Sequence, residues 1–409
     1  MAESVAQPRD VPTAARPSHW ALRETALLSA PQRPSSMDGL QPVHRTLLAL
    51  LRPSSAAPTQ IPPDADWPEL GNVVDRLWLG ARLAHRFASE QRVPLNLRRW
   101  WMQARLATAA HNLLLENEEA GLREELVRAG VDVIPLKGTS LARILYGDAA
   151  ARPSNDIDLG VRSANVARAA GVLRGAGYEV RLPSALLARR AFLQGTDEHT
   201  SEVKCTRKVA GADVVVELHW KWLRLPESLV WSSLTQYDQA GVRTLCPEHY
   251  FLFLCAHVAG GGWAGLRWLC DIADFLTMFA GRMDGARCRE LARQAALRRA
   301  VGITLVLIED FFGIRYRALD SLASETARRT ARRYCLRPFQ PFLAGTPSGI
   351  HRARVAIQDN AWRRAQYLAR LLRPTHLEWL NPNGDTRPAA CAWAVRAGRL
   401  ARMISGVSQ

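Results

Sequence analysis

The chain has 409 residues, 48% of them hydrophobic, and carries a net charge of +16, which is enough chain for two or three domains with a sizeable core. The basic balance is compatible with a polyanionic partner, but the arginines are spread rather than blocked, which favours a generally basic composition. Seven cysteines, an odd number with no Cys-x-x-Cys pair, argue against a disulfide framework or a zinc cluster, and no run of about 18–20 uncharged apolar residues is present to cross a membrane.

Residues 1–65 are rich in Ala, Pro and Ser and are expected to form a loose extension, disordered apart from one short helix near Val43 to Leu51. Glu3, Arg9, Asp10 and several prolines stand where an export signal would need an apolar core, so a cytoplasmic protein with reduced thiols is expected. Residues 66–130 read as a helical segment. Leu77, Leu79, Leu83 and Phe87 suggest one helix, Leu97 to Glu119 a second and Ala120 to Arg128 a third, with Gly130 as a stop. Trp100 and Trp101 fit a core better than a stacking platform.

Residues 131–222 carry the chemistry. Val131 to Leu136 is a short apolar run, broken by Lys137-Gly138-Thr139-Ser140, after which Leu141, Ile144 and Leu145 recur at helical spacing. A strand, a glycine turn and a helix N-terminus together make a phosphate cradle: glycine lets the backbone approach, and the first helical N–H groups lack internal acceptors. Lys137 is one of only four lysines against fifty arginines, and it can meet a phosphate as a point charge. After a small loop containing Arg152, Asp156-Ile157-Asp158-Leu159 alternates with period two, so both carboxylates share one strand face. Two such carboxylates repel unless a cation sits between them, and magnesium takes oxygen ligands of this kind; a solvated strand edge is the plainer alternative. A helix from Ser163 to about Arg174 and a short strand at Tyr178 to Val180 follow, then a helix from Ser184 to Gln194 and His199 as a surface histidine. Glu202 to Val209 and Val214 to Trp220, joined through Gly211, read as a hairpin. Val215, Glu217 and His219 share a face of its second strand, where a carboxylate is costly to bury unpaired. Lys204 and Lys208 read as solvated, with guidance of an acidic acceptor as the alternative.

Residues 223–409 read as a helical domain. His249, Phe253 and His257 recur on one helix face, and His249 and His257 fit core or cleft-lining positions better than ligands of one metal. Trp263 to Phe279 carries Arg267, Asp271 and Asp274 on its polar side. Asp284 to Gly313 and Leu322 to Leu336 follow as helices. His351 to Leu372 is a basic amphipathic segment, Trp379 to Pro388 a turn-rich link and Ala389 to Met403 a closing helix.

Leu136-Lys137-Gly138, Tyr146, Arg152 ahead of Asp156-Ile157-Asp158-Leu159, Gly177-Tyr178, Glu217-Leu218-His219-Trp220, Pro247 to His257 and Leu269 to Phe275 together resemble the bacterial uncharacterised nucleotidyltransferases, of the nucleotidyltransferase (DNA polymerase beta-like) superfamily. The resemblance runs from about residue 70 to 405 and is firmest from 130 to 280. It implies an α/β (α+β) fold, with a mixed-sheet core flanked by N- and C-terminal helical segments. It implies that Asp156, Asp158 and Glu217 are catalytic and hold Mg2+, with Mn2+ as a substitute. It also implies that Lys137, Gly138, Thr139, Ser140 and Arg152 bind the nucleotide, and that the helix carrying Asp271 covers the nucleotide cleft. Thr139 stands where the superfamily's glycine turn continues with Gly or Ser, and Glu217 where many members carry Asp. The expected activity is transfer of a nucleoside monophosphate from an NTP to an acceptor that is a protein, a small molecule or RNA. The alternatives are a non-catalytic nucleotide-binding or scaffold protein of this fold, and an RNA- or tRNA-modifying nucleotidyltransferase. No membrane partner is expected, and the oligomeric state is open.

Overall fold

The computed structural model describes residues 40–53, 65–182, 202–221, 225–236, 242–340, 347–374 and 388–405. The expected helix 184–194, His199, most of the turn-rich link 379–388 and residues 1–39 of the extension lie outside them. Among the described residues four helices precede the sheet: α1 (Pro42–Leu51), α2 (Trp67–Arg76), α3 (Gly80–Phe87) and α4 (Leu95–Arg128). The single helix expected around Leu77 to Phe87 is divided, because the chain turns at Trp78, whose φ is 57°. In the opposite sense, the two helices expected over Leu97 to Arg128 are one helix of 34 residues. Gly121 does not interrupt it; a side chain there would meet nothing within 4 Å, and the Glu, Leu and Arg residues around it are strong helix formers.

The sheet follows, with β1 (Val133–Pro135), α5 (Gly138–Tyr146), β2 (Ile157–Val161), α6 (Val166–Gly175), β3 (Glu179–Val180), β4 (Glu202–Val209) and β5 (Ala212–His219). Its strand order is β1-β2-β5-β4-β3. β2 and β5 run parallel and the other neighbours antiparallel. The register sets Asp158 beside Glu217 and Glu217 beside Lys204, so these three form one row across three strands. His219 stands in the next row between Gly160 and Glu202.

The two faces of the sheet separate by chemistry. Ile157, Leu159, Val161, Val203, Cys205, Val214, Val216 and Leu218 are buried together with α6 and with Leu115, Leu122 and Leu126 of α4. The opposite face carries the polar rows. A larger core lies in the helical body: α1, α2, α3, the start of α4, one side of α5, and the helices after the sheet. These are α7 (Glu227–Ser232), α8 (Pro247–Gly260), α9 (Leu266–Phe279), α10 (Gly285–Gln294), α11 (Arg298–Phe312) and α12 (Glu325–Tyr334), with a small ribbon of β6 (Thr235–Gln236) and β7 (Arg243–Thr244) between α7 and α8. Trp101 is fully inside this core and Trp100 packs on its edge. The basic segment after His351 divides into α13 (Pro347–Ala356) and α14 (Ala361–Leu372), and α15 (Ala389–Ser405) closes the described chain. Among the described residues no helix is long and apolar enough to cross a membrane.

Candidate functional site: an acidic cluster in a cleft

The polar face of the sheet opens into a cleft of about 550 Å³. Lys137, Gly138, Arg152, Asp156, Glu217, His219 and Lys204 line it from the sheet side, and Trp78, His257, Arg267 and Trp268 from the helical body. At its floor the Lys137 ammonium lies 2.5 Å from Asp158 Oδ1 and 4.0 Å from both Asp156 Oδ1 and Glu217 Oε2. His219 Nε2 is 2.9 Å from Asp158 Oδ1 and 3.4 Å from Glu217 Oε2. Lys204 Nζ is 2.6 Å from Glu217 Oε1. Three carboxylates from two strands therefore converge on one cationic position.

The electrostatics follow from that crowding. Burial and the neighbouring Asp158 charge push the Asp156 carboxyl up to about 6. Burial acts in the same direction on Asp158, but Lys137 and a hydrogen bond from His219 overcome it and hold that carboxyl below its usual value. Glu217 is likewise lowered against its own burial, by the His219 hydrogen bond, Lys137 and Lys204. Burial opposes charge on His219, yet its bonds to Asp158 and Glu217 raise it to about 9. Lys137 is held charged by the same carboxylates despite its burial.

The donor set fits a divalent cation. Asp158, Glu217 and His219 offer ligand atoms within 4.8 Å of one another. Asp158 Oδ2 is buried without a hydrogen-bond partner, a costly state for a carboxylate oxygen. Gly138, with φ of 66°, keeps the neighbouring space open: a side chain there would come within 3.2 Å of the Asp156 carbonyl and 3.9 Å of Asp158 Oδ2.

The residues expected to contact the nucleotide divide. Lys137, Gly138 and Arg152 line the cleft; Thr139 and Ser140 do not. Their hydroxyls donate instead to Glu119 of α4, at 3.3 and 3.2 Å. The cause is geometric, because in the first turn of α5 these side chains face the long helix behind it. Glu119 is buried, and burial pushes its carboxyl up to about 7.

Arg152 is fastened in place. Its Nε donates to Asp271 of α9 at 2.9 Å and its Nη1 to the Gly138 carbonyl at 3.1 Å. Asp271 also accepts from Arg82 Nη2 at 2.7 Å, and Asp274 accepts from Arg82 and from the Tyr146 hydroxyl. Asp271 thus holds Arg82 and Arg152. Asn112 of α4 fixes the intervening loop, donating to the carbonyls of Ala149 and Arg152 at 2.7 and 2.8 Å. Nothing in the local sequence signals Arg82 or Asn112; each sits in an ordinary helical stretch. Lys204 was open to notice through its alternation with Glu202 on β4, yet local pattern does not reveal its pairing to Glu217.

The two helical histidines are placed as their spacing suggests. His249 is fully buried, with Nδ1 2.7 Å from Ser233 Oγ. His257 lines the cleft, and burial followed by the Lys137 charge lowers it to about 3.

Residues 63–313 match the model of a family described as uncharacterised nucleotidyltransferase. No curated protein and no solved structure matches the chain.

Proposed function

We propose, on the premise that the chain belongs to the uncharacterised nucleotidyltransferase family, that it transfers a nucleoside monophosphate from a nucleoside triphosphate to an acceptor and releases pyrophosphate. The observation that carries this reading is the convergence of Asp156, Asp158 and Glu217 on one cation position, occupied by Lys137 Nζ. Asp156, Asp158 and Glu217 would hold magnesium, or manganese in its place. Such an ion supplies neutralisation of the triphosphate and a lowered pKa at the acceptor hydroxyl. Lys137 would then pair with a phosphate, as a point charge beside the first turn of α5. Gly138 and the backbone N–H groups of Thr139 and Ser140 would donate to phosphate oxygens at that helix N-terminus. Arg152 holds the Gly138 carbonyl and so orients the turn. Glu217, flanked by His219 and Lys204, would bind a second metal or receive the acceptor's proton. Positioning and electrostatics carry most of a reaction of this kind. The acceptor is a protein, a small molecule or RNA.

A second reading is favoured by one observation. Lys137, Lys204 and His219 already compensate the three carboxylates, as would suit a nucleotide-binding module without turnover. Thermal unfolding with ATP, GTP, CTP and UTP, each with and without magnesium, separates the two. A ligand at about 100 times its dissociation constant adds roughly 2.7 kcal/mol to the native state. Transfer requires a magnesium-dependent rise for at least one nucleotide that Asp158→Asn abolishes. A rise that needs no metal and survives Asp158→Asn supports the binding module. No rise with any nucleotide removes both readings.

A further inference from the structure

Two buried arginines beside the cleft have carboxylate partners: Arg152 is paired with Asp271, and Arg82 of α3 with Asp271 and Asp274. Arg267, half-buried at the start of α9, differs. It lines the same cleft, yet among the described residues no carboxylate forms an ion pair with it, and its Nη1 is buried without an acceptor. What touches the guanidinium is aromatic. Its Cζ lies 5.5 Å from the centre of the Trp78 ring and 5.3 Å from that of Trp268. Burial, then the charge of Arg152, lowers the Arg267 pKa to about 10, so it remains charged at neutral pH.

The two indoles are held there differently. Trp78 adopts a left-handed φ of 57° and keeps 53% of its surface exposed, a conformation that a bulky residue sustains only where the surrounding structure imposes it. Trp268 lies against Gly265, whose φ is 88° and where a side chain would come within 3.1 Å of the ring. The two rings restrict the guanidinium plane without neutralising it. A cation that is desolvated, orientationally restricted and unpaired is a poor structural element and a prepared site for an anion.

We propose that Arg267 is a phosphate-binding residue of the cleft, aligned by Trp78 and Trp268. A guanidinium fork matches a phosphate with two parallel N–H···O bonds. The phosphate has two sources: the triphosphate tail of the nucleotide, or a phosphate group on the acceptor. The choice between them rests on the nucleotidyl-transfer reading; the existence of the site does not.

The test is isothermal titration of the full chain with three ligands, in wild type and in Arg267→Met. These are inorganic pyrophosphate with magnesium, magnesium-ATP, and inorganic phosphate in the presence of magnesium-ATP. A loss of tenfold or more for pyrophosphate and ATP assigns Arg267 to the nucleotide tail. An unchanged affinity for those two with a tenfold loss for inorganic phosphate assigns it to the acceptor. Equal binding of all three by both proteins, or no binding of any by wild type, overturns the proposal. The pyrophosphate and phosphate arms stand even if no nucleotide binds. Thermal unfolding adds a second readout: with no partner stranded by the substitution, Arg267→Met unfolds at or above the wild-type temperature. A fall of several degrees would reveal a structural partner and would also overturn the proposal.

Discussion

Lys137 shows how much one side chain can hide. Its rarity and its place in a Lys-Gly turn mark it in the sequence, and the alternation of Asp156 with Asp158 marks two acids on one strand face. Neither signal says that the ammonium enters the acidic cluster, because its nearest approach, 2.5 Å to Asp158, depends on the packing of the turn against β2. Glu217 and His219 are equally distant in the chain, and only the parallel pairing of β2 with β5 brings them in. The charge count gives a prediction. Removing the ammonium in Lys137→Met leaves buried carboxylates short of a cation, which costs about 3–5 kcal/mol when a buried pair is broken. The variant should therefore unfold earlier than wild type in metal-free buffer and recover with added manganese. It should bind manganese alone about tenfold more tightly and, if the proposed phosphate contact holds, the nucleotide more weakly. Looser manganese binding in titrations of the variant would mean that Lys137 assists the metal rather than occupying its place.

At the scale of elements, the long helix α4 carries more of the site than its sequence suggests. A run of Leu, Glu and Arg residues reads simply as amphipathic helix, divided after Glu119. Continuity across Gly121 lets one rigid element present Asn112 to the Arg152 loop and Glu119 to the start of α5. The break at Trp78 is signalled only by Gly80, two residues on, and the left-handed turn at Trp78 itself is set by tertiary packing. The α4–α5 contact has a pH signature. Burial raises Glu119 from 4.5 to about 7. A raised carboxyl stabilises the native state fully below the unfolded pKa, and that contribution is lost as pH rises through the folded pKa. Urea unfolding should thus show wild type losing up to about 3 kcal/mol between pH 4.5 and 8, relative to Glu119→Gln. Parallel stability profiles for the two proteins would refute a buried, titrating Glu119.

At the scale of the molecule, the hydrophobic residues among those described form two cores, one behind the sheet and one in the helical body. An α/β core between helical segments was legible from strand and helix periodicities; the polar ties across the cleft were not. Arg82, Arg152, Asp271 and Asp274 come from α3, the loop before β2 and α9, and they join the glycine turn of the sheet to the helical body. Asp271 was visible as a polar position on a helix, whereas its partners lie 189 and 119 residues away. Asp271→Asn strands the buried Arg152 and leaves Arg82 with Asp274 alone, and a loss of about 3–5 kcal/mol is expected. Denaturant unfolding measures it; a loss below about 1 kcal/mol would mean that the two bodies are held together by apolar packing alone.

The register of β2 with β5 divides the charged cluster evenly along the chain. Lys137, Asp156 and Asp158 belong to the segment before β3, and Lys204, Glu217 and His219 to the hairpin after it. A ribosome must therefore finish the hairpin before any competent cluster exists, and a chain cut between the two segments carries half a site on each fragment. Forms in which β2 and β5 are not paired lack the assembled cluster. The assembled cluster is in that sense a record that β2 and β5 have paired.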